Sequence, residues 1–159
     1  TNIARDVVED AAAGRRYLPA DWVEHCSPQE LLSPNRQQAA VVRCGVKRLL
    51  SEADRHYYSA WKGLKYLPLR NRIAIAVAAE VYRGIGVKLS RHDYNIWDGR
   101  VRLGLLRKSA LAMKALLKLL IITIQKDDDT AHPTKLHSAL VGLPLANASP
   151  DKVDADVQT

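Results

Sequence analysis

Phenylalanine is absent from this chain of 159 residues, and glycine occurs only eight times. What remains is dominated by Ala, Leu, Val, Arg and Lys, mostly good helix formers, so the expected class is all-α. The length fits one domain and suffices to bury a core. Only two cysteines occur, Cys26 and Cys44, eighteen residues apart with no histidine at a ligand spacing nearby. That excludes a zinc site or a disulfide framework and leaves two reduced thiols of an intracellular protein. Eighteen uncharged apolar residues never occur in a row, because Lys114 and Lys118 interrupt the richest stretch, so a membrane-spanning helix is not expected. An initiator methionine is also lacking: helical pattern is already running at Asn2, which suggests a start inside a longer protein. The lack of a leader then says nothing about location.

The net charge of +7 is unevenly spread. From residue 127 to the end stand six Asp and two Lys, a net of −4, leaving +11 on residues 1–126. So basic a body expects an anionic partner: nucleic acid, a membrane surface or a phosphorylated substrate. The basic residues are scattered over every segment rather than gathered on one helix, which argues against nucleic acid.

Asn2, Arg5, Asp6, Glu9 and Asp10 form a polar ladder on one side of a helix, with Ile3, Ala4, Val7, Val8 and Ala11 on the other. Asp6 and Asp10 are i,i+4 neighbours and repel by roughly 0.2–0.5 kcal/mol, with Glu9 beside them. Water can offset this, and spacing alone favours a solvated helix face. A divalent cation can also offset it, since Mg²⁺ takes oxygen ligands from one or two carboxylates and completes its shell with water and phosphate. Arg5 on the same face could hold that phosphate.

Further along, Gly14 is placed to end the first helix, and Arg15–Trp22 reads as an extended loop around Pro19. Ser27-Pro28-Gln29-Glu30 is a capping box, and Ser33-Pro34 repeats the device. A long helix is predicted from there to Trp61, and the next over Asn71–Val87. The run Ile73–Ala79 is apolar around the whole circumference, which predicts a buried helix and room for a hydrocarbon. Gly84 and Gly86 weaken its end, at roughly 1 kcal/mol each relative to Ala. Val101–Ile124 is predicted helical, with Leu103, Leu106, Ala110, Met113, Leu117, Leu120 and Ile121 on one side and basic residues elsewhere. Such a helix packs on others or lies on an anionic membrane. Residues 1–125 are read as the folded part and 126–159 as a disordered acidic tail whose Asp127, Asp128 and Asp129 are too mobile for a metal site.

The pattern Asn2-x-x-Arg5-Asp6-x-x-Glu9-Asp10, followed by Gly14-Arg15-x-Tyr17-Leu18-Pro19, resembles the second aspartate-rich motif of the phytoene and squalene synthase family. Tyr57-Tyr58-x-Ala60-x-x-Gly63-Leu64, Leu67-Pro68, Tyr82-Arg83-x-Ile85, Asp93-Tyr94-Asn95 and Arg100-Val101 resemble the family's C-terminal half in order. The chain departs from it at Gly84–Lys88, where acidic residues are usual, and after Arg100, where a serine or threonine is.

The resemblance implies the C-terminal half of an isoprenoid-synthase-type helical bundle. It implies a metal set of Asn2, Asp6 and Asp10 for Mg²⁺ (or Mn²⁺), and a diphosphate set of Arg5, Tyr82 and Arg100. Asp6, Asp10 and Tyr82 become the catalytic residues, supported by Glu9, Arg15 and Tyr17. The implied reaction is head-to-head condensation of two geranylgeranyl diphosphates to phytoene through a cyclopropyl diphosphate, in carotenoid biosynthesis. Metal and arginines would neutralise the leaving diphosphate while an apolar pocket shields a carbocation. No dinucleotide fingerprint is present, so NADPH is not expected. A second aspartate-rich motif is also absent, so the N-terminal half of the same protein is needed and these residues alone are expected to be inactive. The implied location is intracellular and peripheral to a membrane, plastidic in a photosynthetic eukaryote. The alternatives are a squalene- or dehydrosqualene-type synthase using farnesyl diphosphate, and a non-catalytic basic helical module, such as an inactive family member, that binds membrane, partner or nucleic acid.

Overall fold

Six helices and two single 3-10 turns account for the regular structure in the computed structural model, which describes residues 1–124. In order they are α1 (Asn2–Arg5), α2 (Val7–Ala12), α3 (Pro28–Leu32), α4 (Arg36–Gly63), α5 (Leu69–Arg91) and α6 (Leu105–Ile124). No strand occurs among the described residues, and the architecture is all-α. The acidic tail and Asp127–Asp129 lie outside the described residues.

The first helix is kinked rather than continuous. Asp6 stands between α1 and α2 at φ −104°, ψ 18°, although Asp6 N–H still donates to Asn2 O at 2.9 Å and Asp10 N–H to Asp6 O at 2.8 Å. Aspartate is a poor interior helix residue, and here its side chain is engaged by arginines on two sides. The apolar side is as expected at Ala4, Val7 and Ala11, all buried, whereas Ile3 is exposed.

Ser27 caps α3 with the reciprocal Glu30 bond that its sequence announces. The second cap falls later than Ser33-Pro34: Asn35 accepts from Gln38 N–H at 2.9 Å while the Gln38 side chain accepts from Asn35 N–H, so α4 starts at Arg36. Leu67 is extended ahead of Pro68, which separates α4 and its 3-10 turn from α5.

Three expectations about α5 and α6 are corrected. First, α5 runs through both glycines to Arg91 instead of ending at Val87. A Cβ on Gly84 would meet Leu111 Cδ1 at 2.5 Å, and one on Gly86 would meet Leu50 Cδ2 at 3.0 Å, so these positions let α6 and α4 approach closely. Second, the run Ile73–Ala79 is not enclosed: Ala76 is buried, but Ile73, Ala74, Ile75 and Ala78 are exposed. Third, α6 begins at Leu105, after the irregular residues 101–104, and buries Ala115 and Leu119, leaving Leu106, Met113, Leu117, Leu120 and Ile121 exposed. The cause of that rotation is Glu80 on α5. Its carboxylate, 4% exposed, accepts from Lys114 Nζ at 2.9 Å and pairs with Lys118 Nζ at 3.7 Å, and Lys118 lies 3.7 Å from the Trp61 ring centroid. A buried carboxylate must be paired, so the two lysines fix which side of α6 faces α5.

The larger core cluster joins Ala4, Val7, Leu31, Val42, Val46 and Leu89 with Ile96, and so ties the ladder to α4 and to the segment after α5. No helix among the described residues is long and apolar enough to cross a membrane.

Candidate diphosphate site

Asp6 is the focus of the ladder. Arg5 donates from Nε to Asp6 Oδ1 at 2.7 Å and from Nη2 to Oδ2 at 2.7 Å. Arg100, 94 residues away, donates to the same two oxygens at 2.9 and 3.1 Å. Two bidentate guanidinium–carboxylate pairs therefore share one carboxylate, an arrangement that uses the planar fork of arginine twice.

The segment between α5 and α6 delivers Arg100. Trp97 anchors it by donating from Nε1 to Leu31 O at 2.9 Å, and Lys88 Nζ donates to Arg102 O at 3.0 Å on the other side. Gly99 turns the chain at φ +93°, where a side chain would be strained. Asn95 caps the local turn by accepting from Trp97 N–H and donating to Asp98 at 2.6 Å.

The electrostatics follow from this geometry. The hydrogen bonds from Arg5, and then those from Arg100, hold the Asp6 carboxyl far below the ordinary carboxylate range against the opposing effect of burial. Both guanidinium pKa values are raised, first by the hydrogen bond to Asp6. Arg5 also feels Tyr82 and Glu9, and Arg100 feels Glu9, so these side chains lie within electrostatic reach of the clamp. Tyr82 is 41% exposed on α5, which leaves its phenol accessible to a ligand.

The structure thus brings Arg5, Asp6 and Arg100 into contact, with Tyr82 and Glu9 within electrostatic reach of Arg5. Asp10, Arg15 and Tyr17 form a second group that shares a small crevice with Ile3 and Val7, with Arg15 Nη2 3.8 Å from Asp10 Oδ1. Asn2 is exposed on the first turn. Among the described residues no three His, Cys, Asp or Glu side chains are grouped as a metal cluster. The donors of Asn2, Asp6 and Asp10 are nevertheless all oxygen, which is the chemistry Mg²⁺ takes, and Asp10 is only loosely engaged. A cation at Asp6 would displace its arginines. The sharing of Asp6 by Arg5 and Arg100 was not visible in the sequence, since no spacing rule links positions so far apart.

Among the described residues the fold is one of helices only, with two arginines clamped on a single carboxylate. A match to the family described as squalene/phytoene synthase spans residues 1–107. The chain belongs to the squalene/phytoene synthase family. It is 50% identical over 93 residues to the 15-cis-phytoene synthase of Pantoea ananas, covering 57% of this chain and 29% of that protein. It is 42% identical over 93 residues to the phytoene synthase of Rhodobacter capsulatus, covering 57% and 27%. Against the bifunctional lycopene cyclase/phytoene synthase of Colletotrichum graminicola it is 39% identical over 94 residues, covering 57% and 16%. The chain thus matches less than a third of the length of these relatives. No solved structure matches it.

Proposed function

We propose that this chain carries the diphosphate-gripping part of a phytoene synthase, a prenyltransferase that joins two geranylgeranyl diphosphates head to head in carotenoid biosynthesis. The observation that carries the reading is the convergence of Arg5 and Arg100 on one carboxylate, with Tyr82 within electrostatic reach of Arg5. In the resting chain Asp6 occupies both forks. When a diphosphate arrives, Arg5 and Arg100 exchange that carboxylate for phosphate oxygens, and the Tyr82 hydroxyl donates to the same group. Asn2, Asp6 and Asp10 would hold Mg²⁺ (or Mn²⁺), which when bound neutralises the charge of the leaving diphosphate.

The exposed apolar residues of α5, such as Ile75 beside Tyr82 in helical spacing, are placed to meet a hydrocarbon rather than water. In the family's reaction, which passes through a cyclopropyl diphosphate, the allylic carbocation must be shielded from water in this way. The remainder of the longer polypeptide supplies the other aspartate-rich cluster, and the chain alone does not turn over. NADPH takes no part in this reading. The exposed stripe of α6, with Arg107 and Lys108 beside it, supports peripheral contact with a membrane inside the cell.

Labelled geranylgeranyl diphosphate, Mg²⁺ and the protein completed with its upstream part test this reading. Phytoene from the completed protein and none from the 159-residue chain is the expected result. A preference for farnesyl diphosphate would move the assignment to the squalene-type branch. No product from either substrate would overturn it.

A further inference from the structure

We propose that a second anion site lies on α4, separate from the Asp6 clamp, and binds the phosphate head of an amphiphile whose hydrocarbon lies along the groove floor. The groove encloses about 520 Å³, within the size range of small-molecule sites. Arg36, Arg43 and Lys47 line it at spacings of seven and four, which places them on one face of α4. Ala39, Ala40 and Cys44 form an apolar floor between them.

The opposite wall is Asp93 and Tyr94, held in the left-handed region at φ 52° and 54°. A tyrosine rarely adopts that conformation, and strain of this kind is tolerated where the surroundings impose it and is common at binding sites. Tyr94 is held by packing on the core cluster, and Asp93 by the bond it accepts from Arg43 Nη1 at 2.9 Å. That single carboxylate leaves an excess of two positive charges in the groove. Among the described residues Arg36 and Lys47 have no ion-pair partner, and Arg43 Nε is buried without a hydrogen-bond acceptor. Arg36 and Lys47 are both exposed, and a phosphate is the ligand whose charge matches two cations left without a carboxylate.

The shared chemistry, a phosphate ester of a hydrocarbon, has two sources: a soluble amphiphile and a phospholipid headgroup. Cys44 provides the reporter, because it is exposed in the groove while Cys26 is buried. The rate of Cys44 alkylation by N-ethylmaleimide is measured on the full chain with dodecyl phosphate, with dodecanol, and with vesicles of phosphatidylglycerol or phosphatidylcholine. The expected result is at least fivefold slowing by dodecyl phosphate and none by dodecanol or phosphatidylcholine. Protection is lost in the Arg36→Ala/Lys47→Ala double variant, whose helical content by circular dichroism is unchanged because both side chains are exposed. Arg100→Ala retains protection, which keeps this site apart from the Asp6 clamp. Protection by phosphatidylglycerol as well as dodecyl phosphate assigns a lipid headgroup, and by dodecyl phosphate alone a soluble ligand. Absence of protection by both, equal protection by dodecanol, or protection that survives in the double variant overturns the proposal.

Discussion

Replacing Asp6 by alanine separates the structural use of the clamp from its ligand chemistry. The substitution removes the acceptor of four charge-assisted hydrogen bonds, two from Arg5 and two from Arg100. Hydrogen bonds to charged groups contribute about 1.5–3 kcal/mol, and solvent beside Arg100, 41% exposed, allows that side chain to rehydrate. The net loss for Asp6→Ala is therefore about 1–2 kcal/mol, read as a lower urea midpoint at unchanged slope. The effect on binding has the opposite sign. With the carboxylate gone, both guanidiniums are free and a negative charge no longer faces an incoming anion. Inorganic diphosphate, titrated calorimetrically in the presence of EDTA, then binds more tightly by about 1–2 kcal/mol, or roughly five- to thirtyfold. Weaker or unchanged metal-free binding in Asp6→Ala would refute the idea that Asp6 occupies a diphosphate site.

Acidification tests the same carboxylate. Its pKa is depressed in the folded chain, so its stabilisation is complete above the unfolded value near pH 4 and is lost as the pH falls below that. The wild-type urea midpoint should fall more steeply than that of Asp6→Asn between about pH 4.5 and 3. At the α5–α6 contact, removing both Lys114 and Lys118 as alanines strands the buried Glu80 charge and costs about 3–5 kcal/mol, whereas Glu80→Gln costs distinctly less; equal losses in urea unfolding would contradict the pairing. Gly63→Ala, with open space around it, raises stability by about 0.5–1 kcal/mol in urea unfolding, and Gly84→Ala gains distinctly less because its Cβ meets the Leu111 side chain.

Local features were legible in the sequence because they depend on a few neighbouring residues. Ser27-Pro28-Gln29-Glu30 announced the start of α3, and the apolar side of the ladder was read correctly at Ala4, Val7 and Ala11. What failed depended on pairs distant in sequence. The buried side of α6 is chosen by Glu80, so a periodicity argument selected Leu106, Met113 and Leu117, which are exposed. Gly84 and Gly86 read only as weak points near the end of a helix, and the sequence did not show that Leu111 and Leu50 pack close against them. The candidate site was half legible: the ladder displayed Arg5 and Asp6, but spacing could not bring Arg100 to them across 94 residues. Arg36, Arg43 and Lys47 carried a helical spacing in the sequence, yet only the turn at Asp93 and Tyr94 closes a groove over them.

The central claim is that Arg5 and Arg100, with Tyr82 within electrostatic reach of Arg5, grip a prenyl diphosphate. Its most direct test is a calorimetric titration of the chain with geranylgeranyl diphosphate in Mg²⁺, repeated for Arg5→Ala and Arg100→Ala. Removing one bidentate fork should weaken binding at least tenfold in each variant, with helical content retained. Wild-type affinity in both variants would contradict the account.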